Sequence, residues 1–348
     1  MIKVGIIGTG NLVAIAHHHT LGLLNDGRAE IAAVLNSRRE TAEKWVSEHG
    51  LNSRVCGSIE EFMDNVDAVS ICAPNKFHCG YAHDAIKAGK PFLVEKPMAV
   101  GIDEARALAA ACKDYPLCNM TGFVYRFSGA VQKARKIVRE QLGEIYTCTA
   151  WFGGKRLSDP SIPLEWRMVR ESSGSGALGD FGSHLVDLAD FVACQRYDEV
   201  SAFTETFIPQ RMHKGVMTGV ENDDAAAFVA RGSHGLGSFT VSRTGMDDVM
   251  LLVTGEGGML QLSLRAPSGI TYWEKLPDGG YTGKIERYDF PDEKPFASWF
   301  DGEMSAFLDW IEGKEHAAAD VRQGLYVEEV LHAAELASLS GRTERVQL

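Results

Sequence analysis

The first residues with evident chemistry form the run Gly8-Thr9-Gly10-Asn11-Leu12-Val13, between an apolar stretch at residues 3–8 and a helical pattern at about 12–25. A first glycine permits a tight turn off a strand. A second lets backbone approach a pyrophosphate, and the helix that opens there offers free N–H groups and a partial positive charge. In that context the run predicts dinucleotide binding through Gly8, Thr9, Gly10, Asn11 and Leu12. Val13 departs from the pattern, since glycine or alanine usually fills the third position. At the end of the next strand an acidic residue would take the adenine ribose hydroxyls. This chain has Leu35-Asn36-Ser37-Arg38-Arg39 instead. Ser37 can hydrogen-bond a 2′-phosphate, and Arg38 or Arg39 can pair with it. The cofactor expected is therefore NADP in preference to NAD. A solvated loop opening the next helix is the competing reading.

The elements that must position such a site follow from periodicity. Apolar strand patterns at residues 3–8, 31–35, 68–73, 91–94 and 117–125 alternate with helical ones at 12–25, 41–49, 78–88 and 103–115. That alternation implies βαβ units and a parallel sheet. Beyond about residue 125 the pattern changes. A helix at 130–141 precedes strands at 145–152, 225–231, 238–243, 249–254 and 259–264, with glycine turns between several of them. Helices at 296–313 and 321–339 close the chain. The fold class expected is α/β: a Rossmann parallel sheet in residues 1–124, then an α+β domain in 125–348 built on an open, mostly antiparallel sheet. The second domain is expected to bind substrate and to carry oligomer contacts.

Composition narrows the class of partner. The 348 residues are 45% hydrophobic and 24% charged, a globular profile with length enough for two cores. A formal net charge of −12 disfavours a non-specific nucleic-acid or anionic-membrane surface. The N-terminal residues read as a strand and not as a signal peptide, and no apolar run is long enough to span a bilayer. The seven cysteines show no CxxC spacing, which fits a reducing, cytoplasmic setting better than a zinc or disulfide framework.

Four further segments are Ala73-Pro74-Asn75-Lys76-Phe77-His78, Ala88-Gly89-Lys90-Pro91, Glu95-Lys96-Pro97 and Gly179-Asp180-Phe181-Gly182-Ser183-His184-Leu185-Val186-Asp187. Together with the glycine turn, and with Tyr125-Arg126-Phe127 and Trp166-Arg167, they resemble the Gfo/Idh/MocA oxidoreductases across nearly the whole chain. The resemblance implies a catalytic group of Lys96, Asp180 and His184. It also implies cofactor contacts from the turn, from Ser37 and Arg38, from Ala73, Pro74, Asn75 and His78, from Glu95 and Lys96, and from Trp166 and Arg167. It implies a sugar, sugar derivative or inositol as substrate.

The residue types suit oxidation of an alcohol. Histidine titrates near neutral pH, so His184 is the expected general base. A Lys96 ammonium would stabilise alkoxide character on the reacting oxygen. Asp180 lies four residues before His184, which on a helix puts both on one face. It would orient a substrate hydroxyl or tune Lys96. Each has a structural alternative: Asp180 as a helix cap, His184 as a core histidine, Lys96 as a strand-end lysine. Asp187 is as well suited to supporting the helix. Lys155 and Arg156 read as a solvated loop. Trp151, Phe152 and Trp166 would line a sugar site or pack the core. The histidines 17–19 lack evident carboxylate partners, so no metal site is expected.

Competing functions are a glycoside hydrolase that oxidises, eliminates, adds water and reduces again, and a cofactor-binding sensor without chemistry. An apolar sheet face left uncovered by helices would favour a homodimer or homotetramer.

Overall fold

The computed structural model describes residues 1–10, 13–265, 268–280 and 283–347. Asn11 and Leu12 therefore lie outside the described residues. The chain forms two compact units, Met1–Phe127 with Phe296–Leu325, and Ser128–Pro295 with Tyr326–Leu348.

In the first unit, strands and helices alternate as β1 (Ile2–Ile7), α1 (Val13–Asp26), β2 (Ala29–Leu35), α2 (Arg39–Glu48), β3 (Arg54–Cys56), α3 (Ile59–Met63), β4 (Ala68–Ile71), α4 (His78–Lys87), β5 (Phe92–Glu95), α5 (Ile102–Ala111) and β6 (Asn119–Gly122). The six strands pair in parallel in the order β6-β5-β4-β1-β2-β3. The order reverses between β1 and β4, the place where dinucleotides bind in such sheets. All four residues of β4 and of β5 are buried, as a strand covered on both faces requires.

In the second unit the elements run α6 (Gly129–Ile137), β7 (Ile145–Gly153), α7 (Arg170–Ser173), α8 (Ala177–Ala193), β8 (Glu199–Glu205), β9 (Gln210–His213), β10 (Val216–Gly219), β11 (Ala225–Gly232), β12 (Gly235–Ser242), β13 (Asp248–Gly255), β14 (Gly258–Ser263), β15 (Ser268–Glu274) and β16 (Ile285–Phe290). Strand β7 pairs in parallel with β12; the other pairs of this sheet are antiparallel. The expected mostly antiparallel sheet is thus observed. Its inner face is apolar: Cys148, Ala150, Phe228, Ala230, Phe239, Val241, Leu251 and Val253 are buried. Helices α6 and α8 pack there. Burying such side chains contributes about 1.5–3 kcal/mol for each large one. The opposite face carries the paired rows Ser201–Val229–Ser238–Thr149–Leu252 and Phe203–Ala227–Thr240–Trp151–Met250.

The C-terminal segment contributes to both units. Helix α9 (Ala297–Ile311) and the short β17 (Ala319–Asp320) belong to the first, where β17 joins β6 antiparallel. Met304, Phe307 and Leu308 of α9 enter the same core as Ala16 and Leu23 of α1. Residues 296–325 thus depart from the expected division at 124/125, because the apolar face of α9 is buried on the Rossmann side. Helix α10 (Val321–Ser340) divides at Leu325 between the units, and β18 (Glu344–Arg345) pairs with β8 in the second.

Candidate active site

The glycine turn leaves β1 with Gly8 at φ +96°, a conformation that favours glycine. A Cβ there would lie 2.5 Å from the backbone nitrogen of Ala73, so Gly8 also permits backbone-to-backbone contact with the end of β4. Among the described residues, a Cβ on Gly10 would meet the Asn36 amide at 3.5 Å, an ordinary van der Waals contact. Thr9 is buried and accepts a bond from Asn36 Nδ2 (3.1 Å). Asn36 Oδ1 in turn accepts from the Arg38 N–H (3.1 Å). Asn36 therefore ties the glycine turn to the Ser37-Arg38 corner. Asn36 stands where an acidic residue would take the ribose hydroxyls, and nothing in the local sequence marks its role. Ser37 and Arg38 are exposed, whereas Arg39 pairs with Glu43 at 2.8 Å.

Beyond β4, Pro74 is half-buried and Asn75 is buried in a short 3-10 turn. His78 is fully buried, with Nδ1 2.8 Å from the Pro97 carbonyl and Nε2 2.7 Å from that of Ala73. Burial lowers its pKa against the pull of those carbonyls. It fastens the Ala73-Pro74 turn to the Lys96-Pro97 segment. Lys96 is half-buried just after β5. Glu95 is buried, and its carboxylate meets His19 Nε2 (Oε1, 3.0 Å) and the Lys96 N–H (Oε2, 3.2 Å). His19 also lies 3.6 Å from Glu303. The expectation that these histidines lack carboxylate partners is thereby corrected: the partners come from β5 and α9, far away in sequence.

In the second unit, Asp180 and His184 sit one turn apart on α8. The helix start is held by Asp223, whose carboxylate accepts from the Gly176 N–H (2.7 Å) and the Leu178 N–H (2.8 Å). A carboxylate there satisfies orphan amides and complements the helix dipole. Burial pushes the Asp223 pKa up, against these donors and Arg243. Asp223 holds the capping position that sequence offered to Asp180. Asp180 lies 3.6 Å from Arg243 and 4.0 Å from Arg167, both as ion pairs. The Arg167 carbonyl accepts from Ser173 Oγ, Asn222 Nδ2 and Arg243 Nη1, and its guanidinium lies over the Trp166 ring (4.6 Å). Burial lowers the Arg167 pKa, with Asp180 opposing.

His184 is buried, with the Phe152 ring 6.0 Å away and Phe152 stacked on Phe181 at 4.1 Å. Asp187 is almost wholly buried. Trp151 occupies the outer row of the sheet, away from α8, because neighbours on a strand point to opposite faces. Lys155 pairs with Asp247 (3.2 Å) and Arg156 with both oxygens of Glu165 (2.7 and 2.9 Å), consistent with a loop held by its own charges. Arg243, Asp223 and Asn222 went unnoticed in the sequence, where nothing local connects them to α8.

A family model described as "Oxidoreductase family, NAD-binding Rossmann fold" matches residues 2–123, and the GFO/IDH/MocA C-terminal domain matches residues 131–261. The chain belongs to the Gfo/Idh/MocA oxidoreductase family. It is 35% identical to levoglucosan dehydrogenase of Pseudarthrobacter phenanthrenivorans over 42% of this chain and 38% of that protein. It is 26% identical to glucose-fructose oxidoreductase domain-containing protein 2 of Xenopus tropicalis over 99% of this chain and 94% of that one. A solved levoglucosan dehydrogenase in complex with NADH and levoglucosan matches the fold with a TM-score of 0.90 at 22% identity, covering 100% of both chains.

Family membership implies NAD(P), and the turn fits it. Gly8 is forced against Ala73, and among the described residues nothing comes closer to a Cβ on Gly10 than the Asn36 amide at 3.5 Å, on the side where a pyrophosphate would approach. Among the described residues, no helix is long and apolar enough to cross a membrane.

Proposed function

We propose that this chain is an NAD(P)-dependent dehydrogenase or reductase acting on a CH–OH group of a sugar, sugar derivative or cyclic polyol. The observation that carries it is the Asp180–His184 pair, one turn apart on a braced helix, in a chain whose other unit has the NAD-binding strand order and glycine turn. The cofactor, when bound, accepts or returns the hydride. Gly8, Thr9 and Gly10, with Asn11 and Leu12, hold its pyrophosphate. Ser37 and Arg38 select NADP through the 2′-phosphate. Ala73, Pro74, Asn75 and Trp166 are its further contacts. His184 takes the hydroxyl proton and returns it in the reverse reaction. Lys96 stabilises negative charge on the reacting oxygen. Asp180, held by Arg167 and Arg243, orients a substrate hydroxyl.

The outer face of the second sheet is the proposed homo-oligomer contact. Phe203 (78% exposed), Val229 and Leu236 lie on it among serines, threonines and alanines, a flat surface suited to a second copy. A cytoplasmic location suits the cysteines, all seven of which are free thiols.

The test supplies NADP and NAD separately with a panel of aldoses, sugar acids, inositols and glycosides, and follows the absorbance of reduced nicotinamide. Substrate-dependent reduction, lost in Lys96→Met and His184→Asn, is expected. Glycoside cleavage without net reduction would replace this reading with the hydrolase.

A further inference from the structure

The first unit contains a buried polar cluster that the proposed chemistry does not use. His19 on α1 is wholly inaccessible to solvent. Its Nδ1 lies 2.7 Å from Ser70 Oγ on β4, with Cys72 Sγ at 3.3 Å, and its Nε2 lies 3.0 Å from Glu95 Oε1 on β5. Glu303 on α9 stands 3.6 Å from the same nitrogen and is also inaccessible. Enclosing an imidazole and two carboxylates in this way strips their charges of water, and mutual pairing is what offsets that loss. Gly122 on β6 makes the room: a Cβ there would sit 2.8 Å from Glu95 Oε1. Burial alone would lower the His19 pKa, but Cys72, Glu303 and Glu95 outweigh it and raise it well above the ordinary imidazole value. An imidazolium can donate from both nitrogens, to Ser70 and to Glu95.

The remaining oxygen of Glu95 accepts the N–H of Lys96. The carboxylate is thus clamped on one side by His19 and fixes the backbone of the lysine on the other. We propose that His19 is a positioning residue for Lys96, acting through Glu95, so that the ammonium is presented from a backbone that cannot drift. The proposal rests on the reading of Lys96 as the group that stabilises the reacting oxygen. It explains why the first helix carries a buried histidine aimed at the end of β5.

Side-chain reach separates positioning from mere packing. His19→Gln keeps an N–H donor at the distance of Nε2, whereas His19→Asn is polar but falls short of Glu95. Glutamine is expected to keep kcat within about threefold and asparagine to lower it about thirtyfold, the scale of a sub-ångström misplacement. KM for the polyol and Kd for the cofactor are expected to stay within about twofold in both, and the two variants are expected to melt at temperatures close to each other. Equal kcat in the two variants, or losses that follow melting temperature, would overturn the proposal. Lys96→Met is assayed alongside: if it retains turnover, the reading of Lys96 fails, whereas inactivity with equal asparagine and glutamine variants sinks only the role of His19. Metal analysis of the purified protein gives a further check. A stoichiometric divalent cation that is lost in Glu303→Gln would make the cluster a metal site and overturn the positioning role.

Discussion

Asp223 offers the most direct test of how the second unit holds helix α8, which carries the proposed catalytic residues Asp180 and His184. Its carboxylate accepts two backbone N–H bonds, at 2.7 and 2.8 Å, from the first turn of α8. Hydrogen bonds to a charged group contribute about 1.5–3 kcal/mol each. Burial works against this carboxylate, so the lower end applies. Asp223→Ala leaves both amides without their acceptor and is expected to cost about 3 kcal/mol. Asp223→Asn keeps one acceptor oxygen and is expected to cost about 1 kcal/mol. The melting temperature should fall by roughly 6–12 °C for alanine and by a few degrees for asparagine. Asp180 is only four residues beyond Gly176, so a frayed helix start moves it first. We expect kcat/KM for the polyol to drop at least about tenfold in the alanine variant while cofactor affinity is unchanged. Denaturant titration and steady-state kinetics read the two effects. A loss below about 0.5 kcal/mol, with wild-type kcat/KM, would refute the bracing role.

Three other outcomes are expected. Arg38→Ala should lower the preference for NADP over NAD by about tenfold to a hundredfold in kcat/KM, the value of a charge-assisted contact to a 2′-phosphate; an unchanged ratio would remove Arg38 from cofactor selection. The folded-state pKa of His19 is raised well above 6.5, so its stabilisation is full below that pH and is lost as pH rises through the raised value. The stability gap between wild type and His19→Gln should therefore be widest below pH 6.5 and narrow as pH rises into alkali; a gap that widens instead contradicts the raised pKa. Light scattering should show a dimer or tetramer that Phe203→Asp shifts toward monomer, and a monodisperse wild-type monomer would end the oligomer proposal.

The Rossmann half was readable because its signals are local. A glycine turn between an apolar strand and a helix, and strands alternating with helices, need only neighbours in sequence. Strands β8 (Glu-Val-Ser-Ala-Phe-Thr-Glu) and β16 (Ile-Glu-Arg-Tyr-Asp-Phe) were missed because polar residues interrupt the apolar pattern on a sheet that leaves one face open. The placement of α9 was not legible, since an amphipathic helix does not state which sheet it will cover. The candidate site divides in the same way. Asp180 and His184 share a helix face at a readable spacing, and the opposite directions of Trp151 and Phe152 follow from strand alternation. Asp223 reaches α8 from more than forty residues away, Arg243 meets Asp180 from the end of β12, and His19 finds its carboxylates on β5 and α9. Such partners are set by tertiary folding, and no local pattern marks them.

The central claim is that a carbon-bound hydrogen of a polyhydroxylated substrate is handed to the nicotinamide as hydride. The measurement is made with a sugar or polyol from the panel that supports turnover, deuterated at the carbon being oxidised, and NMR of the recovered cofactor. The account predicts one deuterium on the nicotinamide ring per turnover, with no such transfer in His184→Asn. Deuterium appearing in water with an unlabelled nicotinamide would contradict it.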